Sequence, residues 1–161
     1  MLLFPYQDEP LTGRPPPSLP ALATARWRPL VPVDILGPTG LRRSFARALV
    51  DPGADDTVFP LNTALQIGVK LLADTGHRVR WRGLLHPLRF GAVDLILEDG
   101  TDEWRWPAVV GFSPAPIRYP ILGLTGCLEF FDTRFRGSNL IVEFDTNPAY
   151  PGTKLASARS G

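Results

Sequence analysis

A single aspartate at the end of an apolar segment is the residue of this chain best placed to do chemistry. Asp51 follows the apolar residues 48–50 and precedes Pro52 and Gly53. A strand that ends in Asp-x-Gly can hold a carboxylate at its terminus, because the glycine lets backbone amides approach the carboxylate oxygens. The pattern predicts a fixed titratable group suited to acid–base chemistry. The alternative interpretation is an ordinary turn that Asp51 only caps.

Two segments together resemble the active-site elements of the retropepsin-like aspartic proteases, over residues 29–145. The residues that match are Ala54, Asp55, Asp56 and Thr57 after the turn, and Ile121, Leu122 and Gly123 in a later apolar element closed by glycine. The resemblance implies a small closed β-barrel of the retropepsin type. It also implies hydrolysis of peptide bonds by a water held between two carboxylates that share a proton.

The number of carboxylates sets the expected assembly. The 161-residue chain is long enough for one core and supplies one Asp-x-Gly-Ala loop. The resemblance therefore implies a symmetric homodimer with Asp51 from each subunit as the catalytic pair, acting on a peptide or protein substrate without a metal or other cofactor. One alternative is a non-catalytic dimeric module of the same fold that binds peptides or supports assembly. Another is an unrelated β domain with a structural Asp51 loop.

Position 52 departs from the family pattern. The family has Thr or Ser there, whose hydroxyl hydrogen-bonds across the subunit interface, whereas this chain has Pro52. Proline has neither a hydroxyl nor an amide hydrogen, so we expect the pair of Asp51 side chains to be less well supported. A slow protease or a non-catalytic descendant is the resulting expectation.

The second departure concerns the acids beside the turn. Leu124 stands where retroviral members carry an arginine that can pair with the acids matching Asp55 and Asp56. Either Arg134 or Arg136 supplies the missing charge across the fold, or the two acids are solvated loop residues.

A basic segment between the two motifs is predicted to form the mobile hairpin, or flap, that the family places over its active site. Residues 78–83 alternate arginine with apolar residues and end in glycine, which is typical of a hairpin arm. The expected flap residues are Arg80, Trp81, Arg82, Gly83 and Leu84. The alternative is a solvated edge strand. Nucleic-acid binding is not expected, because the chain has a net charge of only +1.

A second triplet, Asp74-Thr75-Gly76, spells the family's motif literally. His77 and Arg78 follow it in place of Ala-Asp. We therefore expect Asp74 to lie just ahead of the flap and not in the active site.

The distribution of turn residues predicts an all-β fold, a small closed β-barrel with one or two short helices. The expected strands are residues 30–36, 42–50, 95–98, 102–106, 108–112 and 140–144, and the expected helices are residues 61–67 and 126–131. The first two strands form a hairpin, and Asp99-Gly100 is the turn of another.

Composition divides the chain into three parts. Residues 1–25 form a proline-rich arm, expected to lie extended over the surface or over a neighbouring subunit; residues 26–146 form the barrel; residues 147–161 form a flexible tail. The N-terminal residues do not form a secretory signal, and no apolar segment reaches membrane-spanning length, which predicts a cytoplasmic protein without membrane binding. The single cysteine, Cys127, is interpreted as a packed apolar residue.

Overall fold

The structure, a computed structural model, describes residues 1–156. Strands make up 52% of it and six of them close into a barrel, which confirms the all-β fold class. No helix within the described residues is long and apolar enough to cross a membrane. The elements are β1 (Leu2–Pro5), β2 (Gln7–Pro10), β3 (Ala25–Arg28), β4 (Leu30–Leu36), β5 (Arg42–Val50), β6 (Val58–Pro60), α1 (Leu61–Gln66), β7 (Arg78–Trp81), β8 (Leu84–Pro87), β9 (Arg89–Glu98), β10 (Asp102–Ser113), β11 (Ile121–Leu122), a 3₁₀ turn (Leu128–Phe130), β12 (Phe131–Arg136), β13 (Ile141–Thr146) and β14 (Thr153–Ala156).

The barrel strands lie in the order β10–β6–β11–β5–β4–β9, and pairing of β9 with β10 closes the ring. Alternate residues of each strand point inward, and those of β4 and β10 fill much of the core. Trp106 is fully buried there, and its indole N–H donates to the carbonyl oxygen of Gly126 at 2.9 Å. The barrel interior is therefore a packed core.

Both expected hairpins are confirmed. Strands β4 and β5 have the predicted bounds and pair in antiparallel fashion. Strands β9 and β10 pair around Asp99 and Gly100, where Gly100 has a φ of +92°. An L-residue rarely adopts that backbone conformation, which explains the glycine.

Several strand assignments and one helix assignment differ from the structure. Residues 95–98 are only the end of β9, which begins at Arg89. Residues 108–112 are not a separate strand but continue β10, whose alternation in burial runs unbroken through Pro107. The last barrel-domain strand is Ile141–Thr146. The expected helix at residues 126–131 is only a 3₁₀ turn, because its last residue already pairs in β12.

The terminal segments are more ordered than their composition indicates. β1 pairs with β13, and Leu2 and Phe4 are buried in the core, where the Phe4 ring meets Phe144 edge-on at 5.9 Å. β14 pairs with β10. Residues 2–5, assigned to the arm, thus supply both a strand and buried apolar side chains. Residues 153–156, assigned to the tail, supply an exposed edge strand that pairs with β10. Residues 157–161 of the expected tail lie outside the described residues.

Candidate active site

The Asp51 loop connects β5 to β6, and β11 lies between these two strands. β11 pairs in parallel with β5, matching Leu122 to Val50, and in antiparallel fashion with β6. The amide of Asp51 donates to the carbonyl oxygen of Leu122 at 3.1 Å. The carboxyl ends of β5 and β11 therefore meet at Asp51, and the chain places Gly123 directly beside the loop.

The carboxylate of Asp51 is held on one side only. Oδ1 of Asp51 accepts a hydrogen bond from the amide of Gly53 at 2.9 Å. The backbone carbonyl oxygen of Asp51 accepts one from the amide of Ala54 at 3.1 Å. The side chain is half-buried, whereas Pro52 and Gly53 are exposed. No residue in the described part of the chain binds Oδ2. One oxygen is fixed by the turn and the other is available to a partner.

Gly123 fits against the loop because it has no side chain. A Cβ at this position would lie 2.2 Å from the carbonyl oxygen of Asp56 and 2.9 Å from that of Ala54, far inside contact distance. The loop and the segment after β11 are also hydrogen-bonded, since the amide of Leu124 donates to Ala54 at 2.9 Å. This glycine thus permits the closest approach of the two elements.

Thr57 joins three elements at the base of the loop. Its side chain is fully buried, and Oγ1 accepts a hydrogen bond from the amide of Gly123 at 3.2 Å. Its amide donates to Thr125 at 3.1 Å, and its carbonyl oxygen accepts from Gly111 of β10 at 2.8 Å. These bonds fix the position at which the loop returns to the barrel.

The two acids beyond the turn differ in environment. Asp55 is exposed and Asp56 is half-buried. Burial raises the pKa of the Asp56 carboxyl above its usual value, the charge of Asp55 raises it further, and the nearby His77 opposes the shift. The rise has its origin in desolvation of the charged form.

The arginines proposed as partners of these acids are engaged elsewhere. Arg134 lies 3.8 Å from Glu143 and 3.6 Å from Asp145, and Arg136 pairs with Glu143 at 2.6 Å. The alternative in which either arginine neutralises Asp55 or Asp56 is therefore wrong, because β12 places Arg134 directly opposite Glu143 of β13 and Arg136 within reach of the same carboxylate. Neither acid has an ion-pair partner within residues 1–156.

The expected flap segment forms a separate two-stranded hairpin of β7 and β8. Arg82 and Gly83 form its two-residue turn, with φ values of +49° and +80°. The base of the hairpin adjoins the loop region. The amide of Leu88 donates to the carbonyl oxygen of His77 at 3.0 Å, and the side chain of Leu88 packs directly against Gly111. Since Gly111 is bonded to Thr57, the hairpin arises beside the Asp51 loop.

The second Asp-Thr-Gly triplet makes a similar turn in a different setting. Oδ1 of Asp74 accepts from the amide of Gly76 at 2.9 Å and pairs with Arg78 at 3.1 Å. Both contacts hold the pKa of this exposed carboxyl below its usual range. No other segment of residues 1–156 comes within 4 Å of a Cβ built at Gly76. The triplet precedes β7 on the surface, without a counterpart to Gly123.

A cleft of about 600 Å³ lies away from the Asp51 turn. It runs along the outer side of β9 and β10, and residues 51–57 do not line it. Three charged residues line it: Asp94 and Arg105 pair at 2.5 Å, and Glu129 accepts a hydrogen bond from the amide of Gly126 at 2.7 Å. Sequence reasoning missed this groove, and it also missed Gly111, although a glycine inside a strand indicates a close approach of another segment.

Comparison of the chain with models of protein families, with curated proteins and with solved structures gave no match. The functional argument therefore depends on the geometry of the loop and on the residues within it.

Proposed function

We propose that the protein is an aspartic endopeptidase that works as a homodimer, with Asp51 of each subunit forming the catalytic pair. The observation that best supports this is the parallel pairing of β11 with β5, which packs Gly123 against the backbone of the loop that holds the Asp51 carboxylate with one free oxygen. The order of residues 54–57, which resembles that of retropepsin-like enzymes, adds support.

In the proposed reaction the two Asp51 carboxyls share one proton. The ionised one takes a proton from a water, whose oxygen attacks the carbonyl carbon of the peptide, while the protonated one donates its proton to the carbonyl oxygen. The resulting tetrahedral intermediate then breaks its C–N bond, and the departing amine takes up the proton of the protonated carboxyl. A hydroxyl of the intermediate returns its proton to the ionised carboxylate as the product acid forms, so that the pair again holds one proton. The amide of Gly53 would hold Oδ1 in place throughout.

A non-catalytic peptide-binding module with the same dimeric arrangement is the second candidate. Pro52 favours it, because this exposed residue provides no hydroxyl or amide hydrogen with which to brace the partner's loop. Such a module would bind extended peptides beside Asp51 and leave them intact.

Hydrolysis of a mixed peptide library across about pH 4 to 7 tests the proposal. We expect cleavage that a pepstatin-type inhibitor blocks and that Asp51→Asn lowers about 10²- to 10⁴-fold. Asp74→Asn is a matched control, since Asp74 forms a similar turn at the surface, and it should leave the rate unchanged.

Mixing the unmodified protein with the Asp51→Asn variant shows whether the active site is shared between two subunits or lies within one. If each site needs two intact Asp51 residues, activity falls as the square of the unmodified fraction when Asp51→Asn protein is exchanged into the dimer. A linear fall, or cleavage that Asp51→Asn leaves intact, would overturn the proposal. Peptide binding by a dimer without any cleavage would favour the second candidate.

A further inference from the structure

The tip of the β7–β8 hairpin has an unusual arginine. Arg82 occupies the first position of a two-residue turn with a φ of +49°, where Asn, Asp or Gly is favoured. A non-glycine residue in this region is uncommon, and such strain concentrates at functional sites. The turn itself would form more easily with another residue, so the conformation points to a use for the arginine side chain.

A second arginine lies at the same turn. Nη1 of Arg80 approaches the carbonyl oxygen of Gly83 at 3.4 Å, a long contact that places the guanidinium at the turn that contains Arg82. Both side chains are exposed, and Arg82 has no hydrogen-bond or ion-pair partner among residues 1–156. We call Arg80 and Arg82 the basic tip.

The sequence around the basic tip supplies no opposite charge. Four arginines and no acidic residue lie between Asp74 and Asp94, and the one acid nearest in sequence, Asp74, pairs with Arg78. The other 13 lysines and arginines and all 16 acids lie outside residues 75–93. Two like charges held together without a counter-charge repel each other, so a carboxylate from outside the chain would relieve the repulsion.

We propose that the basic tip binds acidic side chains of the substrate polypeptide, so that the enzyme prefers extended peptides with Glu or Asp near the cleaved bond. This inference rests on the proposed function and adds its substrate class. Guanidinium groups pair with carboxylates through two parallel hydrogen bonds, which gives selectivity for the acid over its amide. The exposed Leu84 and Leu85 beside the tip supply apolar contact for the neighbouring substrate residues.

Two observations favour an acidic peptide over a nucleic acid. The side chain of Trp81 is only half-exposed and its indole nitrogen is covered, so the ring is not an open stacking surface. The nearby loop has three acids, Asp51, Asp55 and Asp56, which would repel a backbone charged at every nucleotide. A peptide can place its acidic side chains at the tip alone.

The test uses the full chain with Asp51→Asn, which binds without cleaving. Two fluorescent, end-capped peptides differ only in having Glu or Gln at alternate positions, and their binding is measured by anisotropy at about 50 mM and 0.5 M salt. We expect the Glu peptide to bind about three- to fivefold more tightly at low salt, as for an exposed charge pair. Adding Arg82→Asn should remove this ratio, because asparagine keeps the turn but not the charge.

Two further variants serve as controls. Arg82→Lys, which keeps the charge but not the planar guanidinium, should retain part of the ratio. Arg26→Gln, which removes an exposed charge on β3, should retain all of it. The inference is overturned if Arg82→Asn keeps the ratio, if neither peptide binds, or if a single-stranded oligonucleotide binds more tightly than the Glu peptide. If the Glu peptide binds more tightly than the Gln peptide through Arg82, but the protein with intact Asp51 never cleaves peptides, only the proposed catalysis is overturned.

Discussion

At the scale of single residues, Asp56 is the group of the loop whose ionisation the fold disfavours. Burial raises its pKa, as does the charge of Asp55. An acid with a raised pKa in the folded state costs no stability at pH values below its ordinary pKa of 3.8, and its penalty appears as the pH rises through the folded value. Neutral pH therefore places an unfavourable charge beside the turn.

Asp56→Asn should increase the free energy of unfolding at pH 7 but not at pH 3. Because the side chain is half-exposed, solvent screening keeps the gain to about 0.5 kcal/mol. Urea titrations at the two pH values measure the difference. An equal change at both would contradict the assigned role of charge, since the amide and the protonated carboxyl have nearly the same shape.

At the scale of elements, the contact between the loop and the segment after β11 depends on the absence of a side chain. Gly123→Ala would place a Cβ 2.2 Å from a backbone oxygen that cannot move without displacing the loop. We expect a loss of about 3 kcal/mol or more in stability, as for overpacking in a core, together with loss of any activity. Thermal and urea unfolding measure the stability.

Gly137→Ala is the matched control for this substitution. Among the described residues, no atom beyond the two adjoining residues lies within 4 Å of a Cβ at Gly137, and its φ is not in the left-handed region. The control should be neutral or slightly stabilising, because alanine restricts the unfolded chain more than glycine does. Equal effects of the two substitutions would show that the close packing at Gly123 is not what stabilises the loop.

Local patterns predicted the elements that depend on neighbouring residues. The bounds of β4 and β5 follow from alternation and from the turn at Gly40, and the Asp51 turn follows from Gly53 two residues later. The pairing of β1 with β13 was missed because it joins residues about 140 positions apart, such as Leu2 and Phe144. The proline-rich composition of the N-terminal residues did not indicate this pairing.

Parts of the candidate site could not be predicted from the sequence either. The parallel pairing of β11 with β5 has no local signal, and only the resemblance suggested that the two segments meet. The partners of Arg134 follow from strand register, which places it directly opposite Glu143. A shift of one residue would have turned its side chain to the other face, so composition alone could not assign its charge partner.

At the scale of the whole molecule, Glu9 connects the N-terminal hairpin to the segment that leads into β11. Its carboxylate is buried and pairs with Arg28 at 2.9 Å and with Arg118 at 2.8 Å. Burial by itself would raise the pKa of Glu9, but the hydrogen bond from Arg28 and the charges of both arginines outweigh it and lower the pKa below its usual value. The triad ties β2 and β3 to the barrel.

Glu9→Gln should lower the stability at pH 7 by about 1 kcal/mol, because it leaves two guanidinium groups without a charge partner. A lowered pKa contributes stability above the ordinary value of 4.5, and this is lost as the pH falls through the folded value. The deficit should therefore shrink below about pH 4 in urea titrations. Asp8→Asn, an exposed neighbour on β2, should show no such deficit at pH 7.

The complete burial of Cys127 gives the protein an internal reporter of its own opening. The chain has this one thiol, which lies in the core beside β11, and burial raises its pKa. Alkylating reagents attack the thiolate and need access to it, so they can modify the native protein only through an opening fluctuation. The labelling rate thus measures, without an engineered probe, how far binding of an inhibitor or of a second subunit reduces the opening fluctuations of the barrel.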